Sequence, residues 1–434
     1  MPYLPRPAGM PELPEDKTVL VTNASEGVRL HTIKRLLAGG CRVRATVYDS
    51  KPAEYLDEVF ESYKKDGKFE RMVLLTQPPT RKKYWRNAVR GVHAIIHMPT
   101  IPQFGFKNDV EKMWEQTEDS VTSILDAAEL EPQVTAFVMT SHIAAATPLV
   151  VPTDSRVNPQ DYNLAAVVGA IQESGKLYPD YYQLFYSCYV RAEQALWNWM
   201  KENRPHFKAN VVVPSNVYGF NFATKYTDSW KHNWLWRLWH YGKSLPVVRD
   251  ESPAQMHWYV DVDDVALLHV ACVYDETIKD GERIMAFGCY RNWNHAIEIL
   301  HEHYVRNVRE EKEYNNEEFD EHAIREEAER RIPWVGEDGV KRGMLHANGS
   351  RMLEIMRRWK DYEGWKQFED TVEECVDLFE RGGDDKPHPR DLRPPKPRPN
   401  PFLLPAGADV DEHHWRWIYR DDPVKPKFER MKDW

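Results

Sequence analysis

The most constraining feature of this 434-residue chain is near its start. A short apolar run, 18–22 (TVLVT), leads into a turn-like 23–27 (NASEG). Then Val28, His31, Thr32, Arg35, Leu36 and Leu37 recur at helical spacing as far as the glycine pair 39–40, and a second strand-like run follows at 41–47. Two strands joined by so short a helical crossover must run parallel, and a parallel sheet needs helices on both faces to bury its apolar runs. Further runs recur at 71–75, 94–97, 136–140 and 209–213, with helical patterns at 81–90, 109–129 and 182–202 between them. The expectation is an α/β fold with a doubly wound parallel sheet.

Composition sets limits on the rest. Hydrophobic residues are 42% and charged residues 29%, and 16 Trp, 21 Tyr and 15 Phe exclude a disordered chain. A net charge of −10 has the wrong sign for a polyanion partner, so no nucleic acid is expected. No run nears the ~20 apolar residues of a membrane helix, and no apolar core of a secretory signal stands at the start. Five cysteines lie scattered without a CxxC pair, which fits reduced thiols and a cytoplasmic setting. Residues 1–16, with five prolines, read as a surface arm, 17–213 as the core and 214–380 as a less regular substrate-side subdomain. The densely charged 306–331 reads as a solvated face or loop. The Pro-rich tail 381–434 is expected to run as an extended strap and dock Trp415 and Trp417 on the body.

Six stretches carry a resemblance. They are 19–50, 91–99 (GVHAIIHMP), 137–145 (FVMTSHIAA), 191–203 (RAEQALWNWMKEN), 211–219 (VVVPSNVYG) and 258–273 (WYVDVDDVALLHVACV). Together they resemble the extended short-chain dehydrogenase/reductase superfamily, in its dihydroflavonol-reductase-like branch with the fungal aldehyde and ketone reductases. The matching spacing covers roughly residues 17–380. The resemblance implies a Rossmann-type sheet with a smaller C-terminal substrate subdomain. It also implies a glycine-rich phosphate loop and a Ser, Tyr, Lys catalytic set, and here the chain departs. Asn23, Glu26 and Arg29 stand at the three glycine positions, with Gly27 one place out of step. Tyr48 stands where users of the phosphorylated dinucleotide carry an Arg, and 76–79 (TQPP) offers no carboxylate for the adenine. The Ser position holds His142, the Tyr position Phe185 and the Lys position Tyr189.

Phe185 has no proton to give, and Glu26 would bring a carboxylate towards two phosphates. The expected function is therefore a non-redox, cofactor-independent enzyme with very weak affinity for NADPH. Isomerisation, cyclisation (pericyclic closure included) and dehydration or lyase chemistry are open, on an aromatic or polycyclic small molecule in a natural-product pathway. His142 and Tyr189 are the expected proton-handling pair. Tyr182, Phe185, Tyr186 and Tyr189 share one helical face, and Ser141, Asn216, Tyr218, His257 and Trp258 are expected to line the substrate side. No metal is expected, since His301 and His303 at i, i+2 face two ways on a helix. Two alternatives are an NADP-dependent ketone or aldehyde reductase with a shifted loop, and a non-catalytic binding or regulatory protein. A homodimer is left open.

Overall fold

The structure is a computed structural model that describes residues 6–25, 27–48, 54–74, 82–99, 101, 109–148, 155–176, 180–219, 234–242, 258–291, 293–334, 345–360 and 364–380. The tail 381–434, with Trp415 and Trp417, lies outside the described residues, as do Glu26 and His257.

The strands are β1 (Thr18–Val21), β2 (Arg42–Val47), β3 (Phe69–Val73), β4 (Ala94–His97), β5 (Ala136–Thr140), β6 (Ser155–Val157), β7 (Lys208–Pro214), β8 (Asn216–Tyr218), β9 (Trp258–Asp261), β10 (Arg283–Ala286), β11 (Cys289–Tyr290) and β12 (Leu345–Ala347). Seven of them form one parallel sheet in the order β3-β2-β1-β4-β5-β7-β10. The direction of winding reverses between β1 and β4, and the carboxyl ends flanking that switch point are where such sheets bind ligands. A small sheet of β8, β9 and β11 and a β6–β12 pair complete the pairing.

The helices are α1 (Val28–Gly39), α2 (Tyr55–Val59), α3 (Glu61–Lys65), α4 (Lys82–Val89), α5 (Val110–Glu129), α6 (Leu164–Glu173), α7 (Tyr181–Asn203), α8 (Trp234–Tyr241), α9 (Val262–Tyr274), α10 (Trp293–Tyr314), α11 (Glu321–Arg331), α12 (Ser350–Trp359) and α13 (Phe368–Glu380). They divide the core in two. On one face Val19, Val21 and Ile96 pack with Leu30, Ile33 and Leu36 of α1 and Val265 and Leu268 of α9. On the other Leu20, Ile95, Phe137 and Val211 pack with Trp85 of α4, Ile124 of α5 and Leu196 of α7. Truncating one of these buried side chains to Ala costs ~2–5 kcal/mol. None of the described helices is long and apolar enough to cross a membrane.

One expectation is corrected and another is made specific. The arm does more than lie on the surface: Met10 and Leu13 are buried in the core beside α1, and the Leu13 amide donates to the Gly39 carbonyl at 2.9 Å. A Cβ at residue 39 would stand 2.7 Å from the Leu13 side chain, so glycine there lets Leu13 pack closely, and a larger residue would push it aside. The charged 306–331 is a solvated face but includes no single long loop. It forms the end of α10 and all of α11, laced by exposed pairs such as Arg325 with Glu302 and Glu321.

Two buried histidines make the fold acid-sensitive. Burial holds His97, at the end of β4, down to about 3, and His269 of α9 down to about 4. His269 donates from Nδ1 to the Val265 carbonyl (2.7 Å) and accepts the Thr140 hydroxyl at Nε2 (2.6 Å), so it is built to be neutral. Below the ordinary value of ~6.5 the unfolded chain takes up protons that the native state refuses. Stability is therefore full above pH ~6.5 and falls as pH drops towards the folded values. Melting temperature measured across pH is expected to decline steadily below that point. A flat profile down to pH 4.5 would contradict the burial of both rings.

Candidate functional site

His142 leaves the carboxyl end of β5 in extended backbone and caps the short 3-10 turn Ile143–Ala145. Its Nδ1 accepts the Ala144 amide at 3.1 Å. With that lone pair engaged, a neutral ring carries its proton on Nε2. Burial lowers the group to about 4, so at neutral pH His142 is an uncharged ring with one fixed donor.

Helix α7 brings the other rings. Asp180 caps it by accepting the Tyr182 amide at 2.9 Å, and the 3.6-residue repeat sets Tyr182, Phe185, Tyr186 and Tyr189 on one side. Tyr186 lies nearly parallel to His142 (6.2 Å between centroids, 6°), and Tyr189 stacks on the same imidazole at 5.2 Å. Phe185 meets Tyr189 edge-on at 5.2 Å and 90°. Tyr182, half exposed at 53%, tilts over Tyr186 at 5.8 Å and stands at the mouth of the cluster. Burial drives the Tyr189 phenol up to about 12, partly opposed by the charge of Arg29. Tyr189 is thus a protonated donor at neutral pH, side by side with the His142 donor. The sequence placed these five rings together, and the structure does the same.

Other expected pocket residues are elsewhere. Ser141 is buried, and its hydroxyl donates to Glu193 of α7 inside the core. Glu193 is fully buried and takes Nε (2.6 Å) and Nη2 (3.1 Å) of Arg283 from β10. Arg283 also donates to the carbonyls of Pro159 and Asp161 and lies over the Tyr162 ring. Ser141 therefore braces the site from behind. Trp258 is also core, 2% exposed and edge-on to Phe287. Asn216 and Tyr218 are half-buried on β8, with Tyr218 stacked on Tyr259 at 6.2 Å. The Glu193–Arg283 pair was not singled out from the sequence, although a Glu in an otherwise apolar helix face was its one visible sign.

The other half of the candidate site is the switch point. Asn23 takes the left-handed conformation (φ 53) in which a glycine is usual, and Gly27 has φ 59. A Cβ on Gly27 would meet nothing within 4 Å among the described residues, so none of them fills the space beside Gly27. Among the described residues no side chain caps α1 and no acidic residue stands in its first turn, which leaves amide donors at that end of the helix. Arg29 of the same turn is half-buried, and its charge is felt at both His97 and Tyr189. Tyr48 packs against the core at the end of β2. His97 was missed from the sequence. Its Nδ1 pairs with the Thr22 hydroxyl at 3.1 Å, and Thr22 accepts the Met98 amide at 3.0 Å, tying β1 to β4 at the switch point.

One further cluster comes from helices the sequence could not join. His303 of α10 meets Asp377 and Glu380 of α13, with their ligand-type atoms all within 4.8 Å of one another. Arg306 donates to its Nδ1 at 2.9 Å, so Nε2 carries the proton and points to Glu380 at 3.2 Å. That is a hydrogen-bonded clamp between two helices, with a guanidinium where a metal-bound ring would need to donate.

No protein-family model matches the chain. A ketoreductase of Penicillium rubens is 28% identical over 293 residues, spanning 66% of this chain and 81% of that protein. An NAD-dependent epimerase/dehydratase of Aspergillus terreus is 24% identical over 361 residues, 83% of this chain and 96% of that protein. Among solved structures, the yeast methylglyoxal/isovaleraldehyde reductase complexed with NADPH superposes with a TM-score of 0.64 at 18% identity, covering 85% of this chain and 100% of that one. These findings overturn two expectations, the cofactor-independent non-redox enzyme and the absence of a cofactor. The sequence relatives are named for ketone reduction and for NAD-dependent chemistry, and the shared fold is one that holds NADPH in yeast. The physical reason is that losing three glycines from the sequence pattern does not by itself remove the turn they make. The structure keeps the left-handed turn with Asn23, a space beside Gly27 that no described residue fills and a helix terminus that no described side chain caps, and it adds a cation at Arg29.

Proposed function

Because the chain belongs to the extended short-chain dehydrogenase/reductase superfamily, we propose that it is an NADP(H)-dependent reductase of a ketone or aldehyde. The observation that carries this reading is the pairing of two fixed neutral donors, His142 and Tyr189, with a cationic helix terminus that no described side chain caps, at the switch point. The residues present fit a dinucleotide. The α1 amides and Arg29 would hold its phosphates, and Asn23 and Gly27 would let the chain turn around them. Bound there, the dinucleotide would supply a hydride to the carbonyl carbon.

The chain's own residues do the rest. The His142 Nε2–H donates to the carbonyl oxygen and holds the charge that develops on it. The Tyr189 hydroxyl supplies the proton, taking the role for which Phe185 has no group. Phe185 and Tyr186 press on Tyr189 and His142 and keep both donors in one orientation. The stacked rings shield the pair in part from water, which strengthens both hydrogen bonds.

Fluorescence titration with NADPH tests the reading, followed by NADPH consumption with a panel of aromatic and aliphatic ketones and aldehydes. Saturable binding and stoichiometric conversion to the alcohol are expected. Neither binding nor turnover across the panel would overturn it.

A further inference from the structure

His142 stands on a turn of three residues, outside any strand or long helix, so its ring needs a tether of its own. The first tether is the Ala144 amide, which donates to Nδ1 at 3.1 Å. Ala144 is held from its other side as well. The side-chain Nδ2 of Asn163 donates to the Ala144 carbonyl at 2.8 Å, and the Asn163 backbone amide donates to the Ala145 carbonyl at 2.9 Å. One residue thus takes two carbonyls of the turn whose amide orients the imidazole.

Asn163 is itself locked. It is 3% exposed, and its Oδ1 caps α6 by accepting the Ala166 amide at 3.1 Å. With Nδ2 on a carbonyl and Oδ1 on an N–H, only one orientation of the side-chain amide satisfies both contacts. Ala144, Ala166 and Tyr186 share one buried cluster, so the turn, α6 and a ring stacked on His142 pack together. The loop leading to Asn163 is anchored too. Arg283 donates from Nη1 to the carbonyls of Pro159 (3.0 Å) and Asp161 (2.6 Å). The same guanidinium holds Glu193, one turn beyond Tyr189 on α7, and Glu193 accepts the hydroxyl of Ser141, the residue before His142. A single buried cation therefore reaches Tyr189 through α7, and His142 through the loop that ends at Asn163.

We infer that Asn163 is the positioning residue of His142. By holding the Ala144 and Ala145 carbonyls it keeps the Ala144 amide on Nδ1, and so keeps the imidazole proton on Nε2 and the ring against Tyr189. The use of this device in carbonyl reduction rests on the reductase reading; its effect on the ring does not.

The test is Asn163→Ser, which keeps a side-chain oxygen able to cap α6 and removes the donor to Ala144. Asn163→Asp does the same with a carboxylate, which a helix N-terminus favours, and is the second variant should the first melt too early. Ile124→Val, a core change on α5, is the control for a general loss of stability. The first readout is the nitrogen-15 NMR spectrum of the His142 ring at neutral pH, assigned through its loss in His142→Ala, with no substrate or dinucleotide present. Wild type and Ile124→Val are expected to show one tautomer, with the proton on Nε2. Asn163→Ser is expected to show signals averaged between the two tautomers. The second readout is kinetic: kcat should fall about 10-fold with NADPH affinity unchanged, less than the ~10²-fold that a 1 Å misplacement can cost. A single unchanged tautomer in folded Asn163→Ser or Asn163→Asp overturns the inference, as does a wild-type ring that already averages between tautomers. Failure of the wild-type protein to bind NADPH sinks the reductase reading, while the ring spectrum still decides whether Asn163 holds His142.

Discussion

Replacing His142 by Ala is expected to lower kcat for carbonyl reduction by about 10²–10³-fold, the usual loss on deleting one preorganised donor to a developing oxyanion. NADPH affinity should be unaffected, because the ring lies beyond the α1 terminus, on the β5 side of the site. The pH profile adds a sharper check. With His142 held at about 4, activity should run level through pH 6.5 and fall only in acid, as the ring takes a second proton and loses its contact with the Ala144 amide. An inflection near the ordinary value of ~6.5 would show a ring exposed to water and would contradict the site as described. Tyr189→Phe should be about as damaging, and the double variant little worse than either, since the two donors act on one oxygen.

The largest effect on stability is expected at Arg283. Its partner Glu193 is fully buried, and Arg283 itself is 8% exposed, so Arg283→Met strands a carboxylate in the core. Breaking a buried pair in this way costs ~3–5 kcal/mol, which lowers the melting temperature by roughly 10 °C in a domain of this size. The double variant Arg283→Met with Glu193→Gln should recover part of that loss, because no unpaired charge remains. Ser141→Ala removes one hydrogen bond to the same carboxylate and should cost only ~1–3 kcal/mol. Equal damage from Ser141→Ala and Arg283→Met would show that the pair is not what holds Glu193.

The amino-acid sequence by itself determined the sheet. Apolar runs with the period of buried strands and crossovers of fixed length leave one architecture, so 94–97 and 136–140 were legible to the residue as β4 and β5. It also determined the aromatic face of α7, because helical spacing alone aligns Tyr182, Phe185, Tyr186 and Tyr189 and the turn after β5 delivers His142 to them. What only the tertiary structure decided was the state of those groups and who their partners are. The proton on His142 follows from the Ala144 amide, and the roles of Ser141 and Glu193 follow from Arg283, 90 residues beyond Glu193. The loop shows the difference most plainly. Read as a string, Asn23, Glu26 and Arg29 are three missing glycines; in space, Asn23 makes the left-handed turn and Arg29 stands half-buried in the first turn of α1. A pattern records which residue type stands at a position, whereas charge and backbone angle act through distance, and distance between segments 160 residues apart exists only once the sheet has closed.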